Sequence, residues 1–70
     1  MIPLVFADTG EICIIKRAGG NPETKKRLKK LGFSAGTEVS VITQNAGNLI
    51  VCVNESRVAV SEEMARNIYI

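Results

Sequence analysis

Residues 25–38 read Lys25-Lys26-Arg27-Leu28-Lys29-Lys30-Leu31-Gly32-Phe33-Ser34-Ala35-Gly36-Thr37-Glu38. This is the pattern of a short basic helix that stops at a glycine and enters a second turn. The start signals lie just upstream. Asn21 is a good N-cap, Pro22 suits the first helical position, and Glu23 puts an anion at the positive end of the helix dipole. Lys29 and Lys30 put cations at the negative end. Gly32 fits the left-handed residue that ends a helix, with Leu31 as the C-cap and Phe33 folding back onto Leu28. Leu28 and Leu31 are expected to face inward. Lys25, Lys26, Lys29 and Lys30 spread around the solvent side.

Five of the nine basic residues sit in this one helix. Against Glu23 they leave it with a charge of +4. The other four cations face six anions, so the rest of the chain is acidic although the whole carries +2. A charge run of this kind is either a solvated face or a surface for an anionic partner. The four lysines are therefore the candidate partner-binding residues. Leu28, Leu31, Gly32, Phe33 and Gly36 are the candidate structural ones.

Working outward, residues 8–10 (Asp8-Thr9-Gly10) form a turn. Residues 11–17, EICIIKR, are β-branched and apolar and read as a buried strand. Residues 18–20 (Ala18-Gly19-Gly20) break it. Ser34-Ala35-Gly36 is a turn, and residues 37–43 alternate with Val39 and Val41 facing in. Residues 44–47 read as a loop with Gly47 at a positive φ. Residues 48–53 are the most apolar strand, and Asn54-Glu55 is a tight hairpin connection. Residues 56–60 return. Ser61 caps a helical turn with Glu62 and Glu63 in its first turn, Met64, Ala65 and Ile68 face the core, and residues 68–70 close the sheet. Short strands with tight turns in 70 residues predict one domain. They imply a mainly β fold, a small, partly open SH3-like barrel with the basic helix across one end.

Those residues resemble the ferrous iron transport protein A (FeoA) family over nearly the full length. The resemblance is carried by Arg27, Leu28, Leu31, Gly32, Gly36 and Val39 at the family's spacing. It continues through Gly47-Asn48-Leu49-Ile50-Val51 and Ser56-Arg57-Val58-Ala59-Val60, and ends at Glu63-Met64-Ala65 and Ile68. Ala35 stands where the family often has Pro. Glu55 stands where Gly is common, so Asn54 is expected to carry more of that hairpin. The resemblance implies an SH3-like barrel and a cytoplasmic role beside a large membrane permease for ferrous iron that carries a G-protein domain. It would then lie peripheral to the inner membrane through that partner. It brings no catalytic residue with it. The fold is also that of the C-terminal domain of iron-dependent repressors. With a start Met and no helix-turn-helix, a freestanding protein is expected.

The remaining classes are narrowed by what chemistry they need. The chain has no His and two Cys, Cys13 and Cys52, both in apolar runs and read as buried thiols. No Cys has a base, no glycine-rich loop cradles phosphate, and no carboxylates pair, so an enzyme is not expected. Glu62 and Glu63 point apart, and Cys13 with Cys52, even if they met across strands, would make a poor ferrous site. No metal and no cofactor are expected. A nucleic-acid barrel needs aromatic platforms on a basic sheet face. Here there are Phe6, Phe33 and Tyr69 alone, and the cations lie on a helix. A proline-peptide groove needs the same missing aromatics. No segment is expected to span a membrane. An exposed strand edge would let the chain pair with a second copy.

Overall fold

The computed structural model describes residues 1–70. The first helix, α1, spans Pro22–Lys30. Its start follows the local chemistry: the Thr24 N–H donates to Asn21 Oδ1 at 2.8 Å, with Pro22 in the first turn. Its end is a Schellman motif. The Gly32 N–H donates to the Lys29 carbonyl at 3.1 Å and the Phe33 N–H to the Leu28 carbonyl at 3.0 Å. Gly32 has φ +101°, which requires its missing Cβ. The turn that follows closes with the Thr37 N–H on the Ser34 carbonyl at 3.1 Å, with Gly36 at φ +90°.

Four strands form an antiparallel sheet: β1 (Ile12–Ile14), β3 (Glu38–Asn45), β4 (Asn48–Val53) and β5 (Ser56–Ser61), in the spatial order β1-β3-β4-β5. A separate ribbon pairs β2 (Arg17–Ala18) with β6 (Ile68–Tyr69). Between β5 and β6 lies α2 (Glu62–Ala65), capped by Ser61 Oγ on the Met64 N–H at 3.1 Å. A 3₁₀ turn at Leu4–Phe6 opens the chain. The termini are tied by reciprocal Ile2–Ile70 backbone bonds of 2.9 and 2.8 Å. The sheet does not close, because β1 and β5 each have a free edge; the barrel is partly open.

Alternation builds the core. Val39 and Val41 from β3, Leu49, Val51 and Val53 from β4, and Val60 from β5 point inward. Leu4, Ala7, Ile15, Leu28, Phe33, Ala65 and Ile68 complete one cluster. A bulge between Val41 and Thr43 bends β3 over it.

Five expectations need correction. Residues 68–70 do not close the main sheet: Ile68–Tyr69 pair with Arg17–Ala18 in the separate ribbon. Residues 11–17 are not one buried strand. Only three of them form β1, at a sheet edge, with Ile12 70% and Ile14 48% exposed. Ile15 turns into the core, and the chain then switches sheets, its Lys16 N–H donating to the Tyr69 carbonyl at 2.7 Å. Leu31 does not face inward. It is 38% exposed, whereas Phe33, whose N–H donates to the Leu28 carbonyl, is fully buried. The loop at 44–47 is tighter than read: β3 runs to Asn45, and Ala46-Gly47 alone makes the turn. Asn54 does not carry more of its hairpin than Glu55 does. Asn54 at φ +51° and Glu55 at φ +62° are both left-handed, as a type I′ turn requires.

Glu55 has no glycine freedom to meet that demand. Glu55→Gly is therefore expected to stabilise the protein by roughly 0.5–1 kcal/mol, since a left-handed β-carbon costs of this order. A urea melt whose midpoint stays level or falls would show that the turn is not strained at this residue.

Candidate functional site

The basic face is positioned by what lies under α1. Leu28 is fully buried, and Thr24, one turn earlier, is half-buried. Helical spacing then turns Lys26 and Lys30 directly away from the core. Lys25 and Lys29 lie on one flank and Arg27 on the other. All five cations are exposed. Glu23, Lys26, Arg27, Lys29 and Lys30 surround a shallow depression without a hydrophobic side chain. None of these cations has an ion-pair partner; the only salt bridge in the molecule is Arg66 to Glu62, at 2.8 Å on α2.

All four lysines fall on the exposed side of α1, as helical spacing expects. Such a face offers fixed positive charge on flexible stems. It can attract an anionic surface.

The other sequence-derived candidates scatter. Cys13 lies opposite Val39 and packs against the core, whereas Cys52 lies opposite Ser40 on the outer face. The two thiols thus sit on different faces with β3 between their strands, and they do not meet. Both are free and half-buried rather than buried. Burial pushes the Cys13 thiol above its ordinary range, and the Glu11 carboxylate, 3.8 Å from its sulfur, pushes the same way. Glu62 is engaged with Arg66. No three Cys, Asp or Glu side chains converge as metal ligands. The aromatics share no platform. Phe33 is buried, Phe6 stands exposed on the 3₁₀ turn, and the Tyr69 ring lies under the Arg17 guanidinium at 5.3 Å.

Sequence reasoning missed a second surface, the outer face of the sheet. Ile12, Ile14 and Ile50 are exposed there. Beside them Ile12, Ser40 and Cys52, with Glu38 and Glu55, help line an open groove of about 520 Å³. The missed signal was parity. Once Ile15 is assigned to the core, alternation puts Cys13 in and Ile12 and Ile14 out.

Residues 2–70 match a family model described as FeoA domain. The chain is 30% identical over 70 residues to "Putative Fe(2+) transport protein A" of Methanocaldococcus jannaschii, covering 100% of this chain and 85% of that one. Among solved structures it is similar to Stenotrophomonas maltophilia FeoA complexed with zinc, described as a procaryotic SH3 domain protein. The TM-score is 0.86 at 22% identity, covering 97% of this chain and 87% of that one. A manganese-dependent transcriptional repressor shares the fold with TM-score 0.89 at 18% identity; 97% of this chain corresponds to 39% of the repressor. No helix of this chain is long and apolar enough to cross a membrane.

Proposed function

Because the chain belongs to the FeoA family, we propose that it is a cytosolic accessory protein of ferrous iron uptake that binds the membrane ferrous iron permease at its cytoplasmic domain and regulates it. The basic face of α1 is the contact surface in this reading, and the protein is peripheral to the membrane through its partner. It acts by binding, without chemistry of its own.

One observation carries the assignment of the surface. A helix kept only for solubility gains from opposite charges one turn apart. Here Lys25–Lys29 and Lys26–Lys30 set like charges at that spacing, which costs about 0.2–0.5 kcal/mol each. None of these cations is neutralised within the molecule. An acidic partner surface would relieve that repulsion on binding, and long-range attraction would speed the encounter.

The likeness to part of a transcriptional repressor supports a second reading, a freestanding regulatory module of the same fold with another protein as its target. Co-purification separates the two. The tagged chain, expressed with the permease and captured from gently solubilised membranes at low salt, is expected to retain the permease. Failure to retain it at any salt would remove the permease as partner and favour the second reading.

A further inference from the structure

The free edge of β1 has features that the ferrous uptake reading does not use. The Ile15 N–H donates to the Thr37 carbonyl at 2.9 Å, and Cys13 lies opposite Val39. Antiparallel strands bond at every second residue, so Cys13 faces β3 with its backbone groups while Ile12 and Ile14 turn theirs outward. The same two residues carry the exposed isoleucine side chains. Ile12-Cys13-Ile14 reads the same in both directions, which makes this edge complementary to itself under a two-fold axis. Its flanks are also complementary. Asp8 and Glu11 precede the strand and Lys16 follows it, so antiparallel pairing brings each acidic end toward a basic one, Arg17 being held over the Tyr69 ring in the other ribbon.

We propose that β1 pairs with β1 of a second copy, antiparallel about a two-fold axis at Cys13, to make a continuous eight-stranded sheet. Ile12 then exchanges two backbone hydrogen bonds with Ile14 of the second copy, and Ile14 with its Ile12. The four isoleucines cover one another on the outer face. The other free edge, on β5, fits itself less well. There a two-fold at Val58 would bring together Arg57 and Ala59, with like charges and little apolar cover. The β1 pair is short, and the dimer is accordingly weak and populated by concentration. It is independent of which protein α1 binds.

Cys13 reports the register. At the axis the two Cys13 residues form a non-hydrogen-bonded pair with Cα atoms about 4.5 Å apart, within disulfide reach. Cys52 lies two strands inside each sheet and has no such mate. The test uses the full chain at high concentration and mildly alkaline pH, with copper-phenanthroline passing the two electrons of each new disulfide to oxygen. Cys52→Ser is expected to form a covalent dimer and Cys13→Ser is not. Adding Ile14→Lys to Cys52→Ser keeps Cys13 and the exposed site tolerates it. It should cut the dimer yield at least about tenfold, with an unchanged circular dichroism spectrum. Sedimentation velocity of the reduced Cys52→Ser protein should show a mass that rises with concentration. Equal cross-linking with and without Ile14→Lys, cross-linking through Cys52 instead, or a monomer at every concentration would each overturn the proposal.

Discussion

Leu28→Ala is expected to remove on the order of 2–4 kcal/mol of stability, the range for truncating a fully buried leucine whose site cannot collapse. A chain of this length commands only roughly 4–10 kcal/mol in total, at about 0.05–0.15 kcal/mol per residue. The variant should therefore melt well below the parent. The reasoning is local. Leu28 is 0% exposed and is the only buried residue of α1, so it is the helix's main apolar attachment to the sheet. Leu31→Ala is the internal control. That side chain is 38% exposed, and its loss should cost about 1 kcal/mol or less. Gly32→Ala should fall between, at about 1–2 kcal/mol. An alanine there is strained at φ +101°, and its Cβ would meet Asn54 Nδ2 at 2.7 Å. Urea melts of the three variants measure this order. Equal midpoints for Leu28→Ala and Leu31→Ala would mean that α1 is not anchored where the structure has it.

Those three positions also show what a sequence makes legible. The helix, its Asn21 cap and its Gly32 stop follow from rules that act over four or five residues, and each is found as read. The hairpin at Asn54-Glu55 was placed for the same reason, whereas the loop read at 44–47 shrinks to Ala46-Gly47 because β3 pairs as far as Asn45. Leu31 and the β1 region were misread because their fate is decided at long range. Leu31 stays at the rim while Phe33 is buried, and a four-residue apolar run does not say which member enters the core. Ile15 enters the core because Thr37 and Tyr69 take the backbone groups around it. That pairing is remote in sequence, and it is what leaves Ile12 and Ile14 exposed and holds Cys13 and Cys52 apart. The lysines of α1 were legible as a surface because helical spacing alone turns them outward. Their partner is a matter of another molecule's charge, which no local rule of this chain contains.

The second large effect concerns that partner. Lys26→Glu with Lys29→Glu moves the face of α1 from a charge of +4 to neutral. The fold should withstand it. Both positions are exposed, and a carboxylate at position 26 stands one turn before Lys30, the favourable orientation for an ion pair. A carboxylate at position 29 near the helix C-terminus costs about 0.3–1 kcal/mol, far less than the loss of Leu28. Binding should respond much more. Charges of this kind act mainly on the association rate, by about tenfold or more at low ionic strength, and the effect is screened within about 10 Å at 0.1 M salt. The decisive measurement is the association rate of parent and double variant with the isolated cytoplasmic domain of the ferrous iron permease, across a salt series. The account predicts fast association of the parent that slows steeply as salt rises, and slow, nearly salt-independent association of the variant. Equal rates for the two proteins, with no salt dependence in the parent, would contradict it and leave the lysines of α1 as solvated surface.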